Sequence, residues 1–156
     1  MERDEQRFKE MIHRQRDLIW RVCSSYRLSA AWTTEDAFHE VLCDLWRGLA
    51  SFDGRSSERT WVFSVATNTM ISLTRKSSNQ PTAPPPERQD PGYRDDDYGD
   101  LVALIEATPE PDRTIIKAHA QGFGYKDIAN ITGLTVAAVS MRLTRALRKL
   151  RKQYNR

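Results

Sequence analysis

The chain has 156 residues, of which 39% are hydrophobic and 29% are charged, so it can form one ordinary domain or two small ones. It contains no apolar run of about 18 residues that could span a membrane, and its first ten residues lack the apolar segment of a secretory signal. Its two cysteines form no C-x-x-C pair, and its glycines form neither a P-loop nor a G-x-G-x-x-G pattern. We therefore expect a cytoplasmic protein without a metal or cofactor, and no residue pattern suggests an enzyme.

Charge is distributed unevenly and divides the chain into three pieces. Residues 1–76 carry a net charge of +1, residues 77–100 carry −4, and residues 101–156 carry +6. A nearly neutral beginning, an acidic middle and a basic end indicate three parts with different partners.

The N-terminal segment has the apolar spacing of helices. Apolar residues recur every three or four positions between Phe8 and Tyr26, which predicts one long helix with an apolar face. Thr34 is followed by two acids and is the predicted N-cap of a second helix, because a cap hydroxyl and negative charge both stabilise a helix N-terminus. This second helix is expected to end near Gly48.

A turn-rich loop at 51–57 and a third helix up to Lys76 complete the first segment. Residues 77–99 differ, since they hold five prolines, two glycines and almost no aliphatic residue. Such a stretch cannot bury enough apolar surface to offset the entropy of ordering it. We interpret it as a flexible, acidic, proline-rich linker.

The C-terminal segment, from residue 100, is again predicted to be helical. Pro109 and Pro111 lie at a predicted helix opening, where a missing backbone N–H costs little. Gly122 and Gly124 end that helix, and two further helices follow. The predicted fold class is therefore all-α, with two small helical domains joined by the linker.

The last two helices have the spacing of a helix-turn-helix. Ala129 provides a small side chain where the helices approach, Gly133 supplies the positive φ of the turn, and Val139 packs the second helix against the first. Thr135 is a suitable N-cap for the second helix. From this cap onward the sequence holds seven Lys or Arg residues and no acid, which favours contact with phosphates.

This basic helix predicts DNA binding, although a charge run by itself is usually a solvated helix face. The small, polar and basic residues along it are candidates for the major groove: Ala137, Ala138, Ser140, Met141, Thr144 and Arg145. Phosphate or structural contacts are expected from Arg142, Arg148, Lys149 and Arg151.

Residues 33–76 carry an ordered set of types: an acid pair, Glu-Val and Trp, then, after a short loop, Thr-Trp, Ala and Asn. These residues are Glu35, Asp36, Glu40, Val41, Trp46, Thr60, Trp61, Ala66 and Asn68. The segment thereby resembles conserved region 2 of extracytoplasmic-function (ECF, group 4) bacterial sigma factors of the sigma-70 family. Residues 107–152 similarly resemble region 4. The two resemblances occur in the family's order and together are far more specific than either one.

The resemblance implies region 2 at residues 1–76, a linker at 77–99 and region 4 at 100–156. In the family, the second helix of region 2 docks on the clamp coiled coil of the RNA polymerase β′ subunit. It therefore implies polymerase contacts for four polar residues: Asp36, His39, Glu40 and Asp44. The three acids form one stripe at i, i+4 and i+8, which by periodicity alone would be an ordinary solvated face. His39 stands where the family usually has Gln.

The family captures an opened strand of the −10 element with the loop and third helix of region 2, and it reads the −35 major groove with region 4. The resemblance assigns −10 contacts to Gly54, Arg55, Ser56, Ser57, Thr60, Ser64, Asn68, Arg75 and Lys76. It assigns −35 contacts to Thr135, Ala137, Ala138, Ser140, Met141, Arg142, Thr144, Arg145 and Arg148. Trp61 is a candidate strand-opening wedge, but its i+4 relation to Val65 favours core packing.

The resemblance thus implies an alternative sigma factor that binds core RNA polymerase, through the β′ clamp and the β flap, and directs it to promoter DNA. It also implies an anti-sigma factor as a further partner and no insertion into a membrane. Two other interpretations stay open at this point. One is a stand-alone helix-turn-helix regulator with an N-terminal helical dimerisation domain, and the other is a helical adaptor that does not bind DNA.

Overall fold

The computed structural model describes residues 2–76 and 95–155, and within them the side chains of all but residue 76 and residues 95–98. The described residues fall into two compact helical units, one before and one after the proline-rich stretch. The expected all-α class with two small domains is therefore confirmed. Residues 77–94, which make up most of the predicted linker, lie outside the described residues.

The first unit is a bundle of three helices in which each helix packs against the other two. Its helices are α1 (Glu2–Ser24), α2 (Thr34–Gly48) and α3 (Glu58–Lys76), and a short 3₁₀ turn (Leu49–Ser51) follows α2. The helices bury the apolar stripes that the three- and four-residue spacings predict. The fully buried side chains include Ile19, Cys23, Val41, Leu45, Val62 and Met70.

The N-terminus of α2 corrects one prediction, because the cap is Thr33 and not Thr34. The Thr33 hydroxyl accepts a hydrogen bond from the backbone N–H of Asp36 at 3.0 Å. The Asp36 carboxylate accepts one in return from the backbone N–H of Thr33 at 3.1 Å. This reciprocal pair needs an acid or amide three residues after the cap, and Asp36 stands at that distance from Thr33.

Polar bonds join the helices of the first unit in two places. Thr69 on α3 donates to the Asp44 carboxylate on α2 at 2.6 Å. Arg14 on α1 forms a bidentate ion pair with Glu58 at the start of α3, with N–O distances of 2.9 and 2.7 Å. Gln15 adds a third bond to the Glu58 carboxylate at 3.0 Å. The helices are therefore fixed in register by charge-assisted bonds as well as by apolar burial.

The two cysteines occupy opposite environments in this unit. Cys23 on α1 is fully buried, and burial raises the pKa of its thiol to about 12. Cys43 on α2 is exposed. Both thiols are free, so this unit is held together without a disulfide.

The second unit is built around α7 (Val136–Tyr154), which packs against α4 (Asp95–Glu106), α5 (Asp112–Ala120) and α6 (Tyr125–Thr132). α4 begins within the stretch that the sequence assigned to the linker. A half-buried ionic network links α5 to the end of α4 and to the loop between them, in which Lys117 donates to Glu106 at 2.8 Å and Arg113 to Glu110 at 2.9 Å. Burial nevertheless lowers the pKa of Lys117 below its ordinary value of 10.5.

The turn between α6 and α7 confirms the helix-turn-helix prediction. Gly133 has φ +75°, and its N–H donates to the Ala129 carbonyl at 2.8 Å, which closes the end of α6. Thr135 caps α7 by accepting from the Ala138 N–H at 3.1 Å. Val139 is fully buried, as the predicted contact between the two helices requires.

Within residues 2–76 and 95–155, no helix is long and apolar enough to cross a membrane.

Candidate functional site

The outer face of α7 is a basic surface that follows from the amphipathic pattern of this helix. Val139, Leu143, Ala146 and Leu150 face the core, so the residues between them point outward. Arg145 and Arg148 are exposed, and Met141, one turn before Arg145, keeps 51% of its surface open to solvent. No acidic residue lies on α7, so this face can approach phosphates without repulsion from its own helix.

The structure brings the predicted −35 residues together on one helix but not all of them to its outer face. Exposed are Thr135, Ala137, Met141, Arg142, Thr144, Arg145 and Arg148, whereas Ala138 and Ser140 are half-buried. The Thr144 hydroxyl donates to the Ser140 carbonyl at 2.9 Å, and the Thr135 hydroxyl is used by the helix cap. The charged donors are thus the groups with the most remaining capacity for DNA.

One residue outside α7 joins this surface, and the sequence interpretation did not include it. Asp112, at the start of α5, accepts a hydrogen bond from Arg142 Nη1 at 3.2 Å. The two side chains line a shallow groove together with Ala138, Met141 and Arg145. Asp112 and Arg142 are 30 positions apart in sequence, so no local pattern relates them.

A second surface lies on α2 and contains the residues predicted to contact polymerase. Asp36 and His39 are exposed, and Glu40 and Asp44 are half-buried. The Asp36 carboxylate takes part in the N-cap of α2. The hydrogen bonds that it accepts from Thr33 lower the pKa of this carboxyl below its ordinary value of 3.8. Asp44 is engaged by Thr69 and, at 2.9 Å, by Arg47. Of the three acids, Glu40 alone makes no hydrogen bond within the described residues.

This α2 surface continues onto α1 through two aromatic side chains. Trp20 is 46% exposed, and its ring centroid lies 5.9 Å from that of Phe38. The two rings line a groove together with charged and polar neighbours: Arg16, Asp17, Glu35 and His39. The sequence pattern could have indicated that Trp20 is exposed, because this residue falls outside the three- and four-residue spacing that marks the buried face of α1.

A third surface is the loop before α3, which is shaped by its own side chains. The Asp53 carboxylate accepts from the Arg55 backbone N–H at 3.1 Å and pairs with the Arg55 guanidinium at 2.9 Å. Gly54 between them has φ +80°, a backbone conformation that glycine adopts without strain. Ser57 accepts from the Thr60 N–H at 3.1 Å, so its hydroxyl caps the start of α3.

The residues predicted to contact the −10 strand are only partly presented by this loop and α3. Gly54, Arg55, Ser57, Asn68 and Arg75 are exposed, while Ser56 and Ser64 are half-buried. Thr60 is 2% exposed, and Ser57 donates to its hydroxyl at 2.9 Å. Its side chain therefore faces the interior of the helix bundle and not a DNA strand at the surface. The side chain of Lys76 lies outside the described residues. Of the three predicted contacts that follow one another at four-residue spacing on α3 (Thr60, Ser64 and Asn68), the first is therefore buried.

Trp61 packs within the first unit, as its spacing to Val65 favoured. Its ring stacks on Phe52 with centroids 4.8 Å apart and planes 26° apart. Arg7 lies over the Phe52 ring at 5.9 Å. In this arrangement Trp61 braces the loop before α3 against the end of α2.

Comparison with known proteins identifies the family. Residues 11–80 match the sequence model of sigma-70 region 2, and residues 98–150 match that of sigma-70 region 4. This chain belongs to the sigma-70 family. Both alternatives that the sequence left open, the stand-alone regulator and the adaptor, leave a match to both sigma regions unexplained.

A curated relative, together with the two family models, supports the extracytoplasmic-function group for this sigma factor. The chain is 28% identical over 133 residues to the ECF RNA polymerase sigma factor RpoE of Cereibacter sphaeroides. The alignment covers 79% of this chain and 73% of that protein. The protein is therefore an alternative sigma factor that directs core RNA polymerase to promoters for transcription initiation.

Two solved structures share the fold of the sigma factor. The first is the sigma factor RpoE of Bartonella quintana in complex with the anti-sigma factor NepR, with a TM-score of 0.73, 23% identity, and coverage of 94% of this chain and 96% of that one. The second is CnrH in complex with the cytosolic domain of CnrY, with a TM-score of 0.71, 19% identity, and coverage of 97% and 89%. At these identities the likeness concerns the fold.

Proposed function

We propose that the sigma factor divides promoter recognition between its two units, with the second unit reading the −35 element through the outer face of α7. The observation that carries this proposal is the exposed basic face of α7, which holds no acid and follows the turn of a helix-turn-helix. Arginines on this face can pair with phosphates and with guanine edges in the major groove. The residues that we assign to the −35 contact are those predicted from sequence, with Arg145 as the base reader.

For the −10 element we propose that the loop at 53–57 receives one opened base. The loop is exposed at Gly54 and Arg55, and its backbone is held by Asp53 and Ser57. A loop that is already ordered loses little entropy when it binds a flexible strand, and a flipped base is read through its edges. Asn68 and Arg75, exposed on α3, would continue the path of the strand; Thr60 supports the loop from within.

For core polymerase we propose docking on the outer surface of α2. Glu40, whose carboxylate makes no hydrogen bond in the described residues, and the exposed His39 supply polar contacts. Asp44, in contrast, is engaged by Thr69, so it supports the docking face from behind. Trp20 and Phe38 add the partly exposed aromatic area that is typical of energetically important interface residues.

Three further proposals follow from family membership and from the solved relatives. RpoE of Bartonella quintana was solved with an anti-sigma factor, and we propose that this sigma factor also has an anti-sigma partner. We also propose that it acts in the cytoplasm, where polymerase and chromosomal DNA are found, and that it contributes binding and no catalytic step of its own. Cofactor and metal are not needed for these roles.

The proposal is tested by run-off transcription with purified bacterial core polymerase and a genomic promoter library, with and without the protein. New transcripts that share an upstream motif are expected. An absence of transcripts, together with no co-elution of the protein and core polymerase, would contradict the proposal. Tight binding to palindromic duplex DNA without polymerase would instead support a stand-alone regulator.

The docking surface is tested by co-elution of charge-reversal variants with core polymerase. Glu40→Arg should weaken co-elution, because it places a positive charge at the centre of the proposed face. Glu5→Arg is the matched control, since Glu5 is an exposed acid in the first turn of α1. Equal behaviour of the two variants would remove the α2 face from the interface.

A further inference from the structure

Arg142 differs from the other basic residues of α7, because an acid from another helix holds it. Arg142 Nη1 donates to Asp112 Oδ1 at 3.2 Å, and the two side chains are 45% and 32% exposed. Neither Arg145 nor Arg148 has an ion pair within the described residues. Asp112 is also the one acid that lines the groove beside Met141 and Arg145.

This ion pair contributes little to the stability of the fold. Pairs with this exposure are weak in water, and salt screens them further. An acid next to a phosphate-binding face also reduces the attraction of that face for DNA. The main effect of the pair is therefore on the position of the guanidinium group and not on the free energy of unfolding.

The geometry of the bond leaves a specific part of Arg142 available. A guanidinium is a planar fork with five N–H donors, and the Nε and Nη2 donors lie parallel along one edge. Asp112 engages Nη1, so the Nε–Nη2 edge makes no hydrogen bond in the described part of the chain. A pair of parallel donors matches the O6 and N7 acceptors that guanine presents in the major groove.

The exposure of Arg142 and of its neighbours shows that this side chain lies at the outer surface of α7. The groove that contains Asp112 and Arg142 is also lined by Met141 and Arg145. Met141 is 51% exposed, and Arg145 is a predicted base reader. Arg142 thus shares a surface with the residues that face the DNA in the proposed function.

We propose that Asp112 is a positioning residue that orients Arg142 to read one guanine of the −35 element. Asp112 does not touch the base; it restrains a long side chain, so that less side-chain entropy is lost when the contact forms. This inference rests on the proposed −35 function of α7. It makes a residue of α5, outside the helix-turn-helix, a determinant of promoter sequence preference.

The test measures base preference at each position of the −35 element. Holoenzyme assembled from the full-length chain and bacterial core polymerase is incubated with promoter fragments whose −35 segment is randomised, and bound fragments are sequenced. The chains compared are the wild type, Arg142→Lys, Asp112→Asn, the double variant that combines these two changes, and Asp100→Asn. Asp100 is an exposed acid on α4 in the same unit, so its variant removes the same charge without touching Arg142.

The wild type is expected to select guanine at one position that Arg142→Lys no longer selects, with a loss of preference of about tenfold, because lysine cannot form the two parallel bonds. Asp112→Asn should weaken preference at that same position by about threefold and leave the other positions unchanged. Asp100→Asn should match the wild type. In the double variant, Asp112→Asn should add nothing to Arg142→Lys, because it acts through Arg142.

Three results would overturn the proposal. They are unchanged preferences in Asp112→Asn, a change at a position that Arg142→Lys does not affect, and an equal change at every position, which would indicate only the loss of a charge. Thermal unfolding of each variant shows whether the fold is intact, and Asp112→Ser provides a second variant at this exposed position. If the wild type selects no motif at all, it is the proposed −35 function that fails.

Discussion

The two units of this sigma factor use their polar residues in opposite ways. In the first unit, many of the polar residues predicted to bind a partner also bond within the protein: Asp36 serves a cap, Asp44 binds Thr69, and Thr60 is buried against Ser57. In the second unit, most of the predicted contact residues are exposed on α7, and the less exposed ion pairs link α5 to the end of α4 and to the loop between these helices.

This difference matches the ligands that we propose for the two units. A duplex is rigid and supplies its own shape, so an outward-facing helix with free donors is sufficient to bind it. An opened single strand is flexible, and the protein must supply the shape that holds a base. The bonds within the first unit provide that shape, at the cost of fewer free polar groups.

The largest expected effect tests whether the ionic network holds the second unit. Glu106→Gln should lower the free energy of unfolding by about 2–3 kcal/mol, because it removes a charge that stabilises the half-buried ammonium group of Lys117. Denaturant unfolding followed by circular dichroism measures this change. Asp100→Asn, at an exposed position on the same helix, should change it by less than about 0.5 kcal/mol. Similar values for both variants would mean that the network does not stabilise this unit.

The next effect concerns the outward face of α7. Arg145→Ala should lower activity at the cognate promoter by the equivalent of about 2 kcal/mol, if the residue makes a two-bond contact to a base. Transcription from promoters that differ only in the −35 element measures this loss. An equal loss on unrelated −35 sequences would show that Arg145 contacts phosphate and reads no base.

A smaller effect is expected from the bond between α2 and α3. Thr69→Val keeps the shape of the side chain but removes the donor to Asp44, and it should cost about 1.5 kcal/mol of stability. Thr74→Ser on the same helix serves as a control, since it keeps a hydroxyl that can donate to a backbone carbonyl. If core polymerase affinity fell with Thr69→Val while stability did not, Asp44 would act at the interface directly.

The smallest effect is the pH dependence of the Arg14–Glu58 pair. Hydrogen bonding from Arg14 holds the pKa of the Glu58 carboxyl below its ordinary value of 4.5. The folded chain therefore binds fewer protons here than the unfolded chain, so the stabilisation is present above about pH 4.5 and is lost as pH falls through the folded pKa.

Glu58→Gln should accordingly destabilise the chain at pH 7 by less than about 1 kcal/mol. The difference from the wild type should shrink as pH falls below about 4.5, as urea unfolding at several pH values would measure. Arg14→Gln should diminish this pH dependence. A difference that stays constant across the range would show that the pair does not act through the charge of Glu58.

Local patterns predicted the helices, because helix formation depends on neighbours three and four positions apart. The turn at Gly133 and the cap at Thr135 were predicted correctly for the same reason, since both depend on a few adjacent residues. The cap of α2 was misplaced by one residue, because Thr33 and Thr34 are equally good caps by type. The position of Asp36 relative to Thr33 decides between them.

Contacts between distant residues could not be predicted in this way. The burial of Thr60 depends on which side of α3 faces the bundle and on the Ser57 hydroxyl that claims it. The Asp112–Arg142 pair joins two helices 30 positions apart. The family resemblance assigns Arg142 to DNA but does not indicate Asp112, because the partner of a surface arginine is a property of the packed unit.

The two cysteines of the sigma factor differ in burial, so that only one of the two thiols is available to react with reagents in solution. Thiolates react and thiols do not, so a buried group with a pKa near 12 is inert toward maleimides and disulfide reagents at neutral pH. Cys43 is exposed on α2, three residues after Glu40. A fluorophore or cross-linker attached to the unmodified chain would therefore report from the proposed polymerase-docking helix, without the removal of either native cysteine.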